Sequence, residues 1–134
     1  MEDDLKGRER RKSERIDVSF SLTYYLEKPF TLRISLGLVD SVEAIMVNLS
    51  ELGMAVITSY DIQKGAQLYI KFDLINMLLS GDERWRSMKI IGEVVSNSAL
   101  ADKSYRIGIH FNKISEEDKS AISKFVMCNK IPSK

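Results

Sequence analysis

The stretch Asp17-Val18-Ser19-Phe20-Ser21-Leu22-Thr23-Tyr24-Tyr25-Leu26 decides the fold class. Val18, Phe20, Leu22, Tyr24 and Leu26 alternate with Asp17, Ser19, Ser21, Thr23 and Tyr25. Successive side chains of a strand point to opposite faces, so this alternation reads as a strand buried on one side. After Glu27-Lys28-Pro29 the alternation resumes, with Phe30, Leu32, Ile34, Leu36 and Leu38 set against Thr31, Arg33, Ser35 and Gly37, and reads as a second strand. Further strands are expected over Val42–Asn48, Met54–Thr58, Gln67–Leu74, Ser87–Ser96 and Tyr105–Phe111. Short strands at this density, separated by turns, indicate a mainly all-β antiparallel sandwich or barrel. Ile75 to Arg86 carries the turn chemistry of Ser80-Gly81-Asp82 and reads as a loop.

One helix closes the chain. Ser115 suits an N-cap and Asp118 completes a capping-box spacing. Glu116, Glu117 and Asp118 place negative charge at the positive end of the helix dipole. Ile122, Phe125 and Val126 form an apolar stripe that must rest on the sheet, and Pro132 marks the stop.

The 134 residues are 44% hydrophobic and 29% charged, the balance of one ordinary globular domain. Net charge is +1, so no global field draws the chain to nucleic acid or acidic lipid. One cysteine, Cys128, excludes an internal disulfide and a cysteine-based zinc cluster. No apolar run reaches the length of a membrane helix, which argues against membrane insertion, and Met1-Glu2-Asp3-Asp4 opens no secretory leader. The expected location is cytoplasmic. The expected organisation is a flexible basic arm over 1–14 followed by a barrel with its closing helix over 15–130.

The supply of catalytic groups is thin. His110, the one histidine, sits in a strand where alternation sets it opposite Ile109 and Phe111, and a lone strand histidine is more often structural or exposed than catalytic. No acid/base pair, metal-ligand set or phosphate-binding glycine loop can be named, so an enzyme is not expected.

Two clusters remain. Lys6 to Arg15 holds six basic residues against two acidic ones, with Arg11 and Arg15 four apart and Arg10 adjacent. Asn48-Leu49-Ser50-Glu51-Leu52-Gly53 is an Asn-x-Ser-x-x-Gly turn between strands, with Gly53 expected to supply a positive φ and to let a ligand approach the backbone. Arginine grips phosphate or the Hoogsteen edge of guanine with a planar fork and stacks on bases. An arginine arm facing a polar turn on a barrel rim makes an anionic purine site.

In this order, R-x-x-x-R and then [D/N]-x-S-x-x-G, the two clusters resemble the PilZ domain, a bacterial receptor for cyclic di-GMP. Tyr105-Arg106-Ile107-Gly108-Ile109-His110-Phe111 is similar to the late strand of that family, and the resemblance covers about 11–126. It implies a six-stranded antiparallel β-barrel with a C-terminal α-helix. It also implies that Arg11 and Arg15 clasp guanine and phosphate, that Asn48 and Ser50 hydrogen-bond the ligand, that Gly53 shapes the turn, and that Arg10 adds a contact or influences ligand stoichiometry. Ser96 stands where members often carry an aromatic after Val94-Val95, a departure expected to lie away from the ligand motifs. Phe30 to Val42 looks more strand-like than the family's simple turn.

The implied function is a receptor and adaptor. Cyclic di-GMP orders the arm, and the altered surface regulates an unidentified effector protein in trans, in motility, adhesion or biofilm control. No cofactor or metal is expected. The alternative is a PilZ-like protein-interaction module that does not bind nucleotide. DNA is not an expected partner, because acidic residues cancel the arm and no aromatic-rich basic face is present. Exposed β edges or the Phe30 to Leu38 strand would support a homodimer.

Overall fold

The computed structural model of the chain describes residues 15–129. The N-terminal arm, with Arg10 and Arg11, and the stop at Pro132 lie outside the described residues. Six antiparallel strands close into a barrel: β1 (Arg15–Lys28), β2 (Val42–Ser50), β3 (Gly53–Thr58), β4 (Gln67–Ile75), β5 (Trp85–Ala99) and β6 (Tyr105–Lys113). Their order around the barrel is β1-β2-β3-β6-β5-β4. The founding strand β1 serves two neighbours, pairing with β2 from Arg15 to Tyr24 and with β4 from Thr23 to Lys28.

The alternation read from the sequence sets the inside and the outside. Leu22, Tyr24 and Leu26 point into the barrel with Met46, Leu49, Val56, Leu68, Ile70, Met88, Ile90, Val94, Ile107 and Ile109, all buried. Six strands enclose only enough space for side chains, so the interior is a packed core. Tyr24 carries its one polar atom into that core and satisfies it with Thr58, the oxygens 2.6 Å apart. Burial pushes the Tyr24 phenol up to about 12.

The second stretch of alternation is not a strand. Phe30–Leu36 forms a short helix, α1. A period-two run also contains i, i+4 pairs, and here Leu32 and Leu36 use that spacing to pack on the core while Phe30 and Ile34 face outward. Both ends favour helix: Pro29 occupies the N-cap, and Gly37 takes a left-handed φ of 70°. The Gly37 and Leu38 amides donate back to the carbonyls of Ile34 and Arg33. Arg33 lies over the Phe30 ring and bonds the Tyr25 hydroxyl. Phe30–Leu36, being helical, offers no strand edge of its own, while the barrel closes with stretches of β1 before Thr23 and of β5 before Ile91 paired on one side only.

The Ile75 to Arg86 segment is a turn with one 3-10 helix over Gly81–Arg84, and β5 starts at Trp85, earlier than the sequence suggests. The closing helix, α2 (Glu116–Asn129), rests Ile122, Phe125 and Val126 on the barrel, with the Phe125 ring 5.7 Å from that of Phe20. Ser115 Oγ accepts from the Asp118 amide at 3.0 Å, as an N-cap should. The Asp118 carboxylate accepts from Arg86 Nε at 2.7 Å and so pins α2 to β5.

Candidate functional site

The turn between β2 and β3 is built by its own side chains. Ser50 Oγ accepts from the amides of Leu52 and Gly53 at 3.2 and 3.3 Å and sits 3.3 Å from the Gly53 carbonyl. The Leu52 carbonyl accepts from the Phe111 amide at 2.9 Å, which fastens the turn to β6. Two residues upstream, β2 slips register between Met46 and Asn48. Asn48 fills the irregularity: its Oδ1 accepts from the Ala55 amide at 3.0 Å. Only the oxygen of the amide accepts, so this bond fixes the orientation of the Asn48 side chain.

Gly53 is required for a different reason from the one the sequence suggests. It is not among the positive-φ glycines, which are Gly37, Gly65 and Gly81. A Cβ at Gly53 would lie 2.1 Å from the Ile109 carbonyl oxygen, so glycine is there because β3 presses onto β6.

Strand pairing then brings Arg15 to this turn. In the β1–β2 ladder Arg15 stands opposite Ser50, and Asp17 opposite Asn48. Arg15, Asn48, Ser50 and Gly53 line one cavity of about 450 Å³ on the outer face of the barrel. These are all of the sequence-nominated site residues that the structure describes.

The other wall was not legible. It comes from Arg106, Gly108 and His110 of β6 and from Val95, Ser96 and Ser98 of β5. The β5–β6 register slips between Val94 and Ser96, which sets Ser96 opposite Gly108 and Ser98 opposite Arg106. The departure at Ser96 therefore does reach the site, contrary to expectation. Gly53, Ala55 and Gly108 form a floor of small residues, and Ser96 Oγ would lie 2.4 Å from any Cβ at position 108. Among the described residues no carboxylate lines the cavity, whereas two guanidiniums and an imidazole do. A flat floor with cationic sides suits a planar, anionic ligand. Alternation in β6 marks Arg106 and His110 as outward, but only the non-consecutive β3–β6 pairing carries them to the Asn-x-Ser turn.

A family model described as the PilZ domain matches residues 9–128. The chain belongs to the PilZ domain family. Solved PilZ-containing structures share its fold. The motility inhibitor MotI/DgrA of Bacillus subtilis is 16% identical with a TM-score of 0.66, the match covering 88% of this chain and 50% of that one. The PilZ domain of YcgR from Escherichia coli, solved with c-di-GMP, is 15% identical with a TM-score of 0.58, covering 88% and 89%. PlzA of Borreliella burgdorferi, also solved with c-di-GMP, is 21% identical with a TM-score of 0.57, covering 91% and 43%. This PilZ chain thus spans about half the length of the motility inhibitor. No curated protein sequence matches it.

Proposed function

We propose that this PilZ domain binds cyclic di-GMP in the cavity between the β2–β3 turn and β6, and that binding regulates a partner protein. The observation that carries the reading is the β1–β2 register. It sets Arg15 against Ser50 and so joins two motifs that are far apart in sequence into one cationic trough. The solved neighbours that hold c-di-GMP on the same fold support it.

Each part has a physical task. The Arg15 fork bonds phosphate or the guanine edge, and such charge-assisted bonds are about twice as strong as neutral ones. The side-chain N–H donors of Asn48 meet an acceptor of the ligand. Ser50 and Gly53 act through the turn they hold. Four residues of chain span at most about 14 Å, so Arg11, and Arg10 beside it, can reach the same trough. Ligand contacts would tie the arm to the barrel and change the surface offered to an effector in trans, an order–disorder switch. The name of the motility inhibitor favours motility as the regulated process. The reading is of a receptor rather than an enzyme, in the cytoplasm. No helix among the described residues is long and apolar enough to cross a membrane.

Calorimetric titration of cyclic di-GMP into the wild type and into Arg11→Ala/Arg15→Ala tests the proposal. Saturable wild-type binding that the double substitution abolishes supports it. Loss of one charge-assisted contact costs about 1.5–3 kcal/mol, so Arg15→Ala alone should weaken binding roughly 10- to 100-fold. A wild type that gives no heat and no competition refutes it in favour of an interaction module that does not bind nucleotide.

A further inference from the structure

Strand β6 sends a guanidinium and an imidazole into the cavity, and neither belongs to a sequence motif. Ile107, Ile109 and Phe111 are buried in the barrel, and Arg106, Gly108 and His110 take the outward positions. Alternate residues of a strand are about 6.6 Å apart, which puts the Cα atoms of Arg106 and His110 about 13 Å from each other with glycine between them. A Cβ at Gly108 would stand 2.4 Å from Ser96 Oγ, so filling the gap requires that hydroxyl to swing away. The result is a row of guanidinium, bare backbone and imidazole, facing the wall that carries Arg15. A planar group laid over Gly108 has a side chain able to bond an anion at each end.

We propose that Arg106 and His110 are ligand-binding residues forming the second arm of an anion clamp, and that His110 makes binding tighten as pH falls. This rests on the reading that the cavity takes cyclic di-GMP, and it adds residues and a pH response that the motifs do not supply. The two arms differ in kind. A guanidinium stays charged at every physiological pH, whereas an imidazole gains its proton near pH 6.5.

The charge that the ligand brings fixes the sign. Arg15 on β1 and Arg106 on β6 share the cavity with His110, and Glu93 is its partner across the β5–β6 ladder. On the β3 side its partner is Gly53, which carries no charge, and Glu51 of the neighbouring turn lines a separate groove with Glu116 and Lys119. A bound dianion adds negative charge beside the imidazole and favours the proton. Linkage is reciprocal, so a ligand that favours the proton is itself favoured by it. The contact is solvent-exposed and screened, and a 3- to 10-fold gain in affinity between pH 8 and pH 5.5 is expected.

The chain holds one histidine, so in tag-free protein the imidazole resonances belong to His110 alone. The experiment is an NMR pH titration of those resonances with and without cyclic di-GMP. Alongside it, calorimetry at pH 5.5, 6.5 and 8 compares the wild type, His110→Gln and Arg106→Gln. Both positions are exposed, so the substitutions spare the core. The expected results are a higher imidazole pKa in the complex, an affinity gain at low pH that His110→Gln abolishes, and an Arg106→Gln protein weaker about 10-fold at all three pH values. A wild type that binds nucleotide while the imidazole titrates identically in both states, and while Arg106→Gln keeps full affinity, overturns the clamp but leaves the receptor reading standing. A wild type that binds at no pH overturns both.

Discussion

Replacing Gly53 by alanine tests the site and the fold at one atom. The new Cβ would stand 2.1 Å from the Ile109 carbonyl oxygen and 3.2 Å from its carbon, against backbone that has no rotamer to swing away. An ordinary carbon–oxygen contact needs about 1 Å more, so β3 and β6 must part by about that much at this rung. The rung pairs Gly53 with His110, and the next pairs Met54 with Ile109, both of whose side chains are buried. Overpacking of this kind costs about 2–3 kcal/mol. For a domain of this size that lowers the unfolding midpoint by about 6–12 °C. Because the displaced rung is also the floor of the cavity, cyclic di-GMP affinity should fall as well. Gly37 provides the control: its φ is 70° but nothing lies within 4 Å of a Cβ there, so Gly37→Ala costs only about 1 kcal/mol of left-handed strain and leaves affinity intact. Guanidinium denaturation and calorimetry of the two variants make the comparison. A Gly53→Ala protein with wild-type midpoint and wild-type affinity would show that close approach of β3 to β6 is not what this glycine serves.

Two further outcomes follow from the same structure. Asn48→Ala leaves the buried Ala55 amide without its acceptor and should cost about 1–3 kcal/mol, whereas Asn48→Asp keeps an accepting oxygen and most of the stability, as paired denaturation curves would show. A tyrosine in the unfolded chain ionises near pH 10 but Tyr24 holds its proton to about 12, so stability is fully present below pH 10 and declines by up to about 3 kcal/mol toward pH 12. Tyr24→Phe should flatten that alkaline decline and lose about 1 kcal/mol at neutral pH with the bond to Thr58. A decline as steep in Tyr24→Phe as in the wild type would assign the alkaline limb to another group.

Much of this architecture was legible wherever a local pattern had one physical solution. Asp17 to Leu26 alternates over a full strand length, the period of a strand with one face buried. Ser115 and the Ile122, Phe125, Val126 stripe likewise specify a capped helix lying on a sheet. Phe30 to Leu38 shows where such reasoning fails. Its apolar residues satisfy period two and an i, i+4 stripe together, and the choice falls to the caps at Pro29 and Gly37 and to the surface that receives Leu32 and Leu36.

The sequence by itself determined the barrel strands, the closing helix and one wall of the candidate site, but not the helix at Phe30–Leu36, because Arg15 and the Asn48 to Gly53 turn are written as short motifs whose chemistry is local. Only the tertiary structure decided what stands opposite. Barrel closure pairs β3 with β6 and draws Arg106, Gly108, Ser96 and His110 to the turn, and such pairing between distant strands leaves no trace in local periodicity. The need for glycine at 53 is of the same kind. It depends on a carbonyl of Ile109, far along the chain, and no turn propensity reports how closely two strands are pressed together.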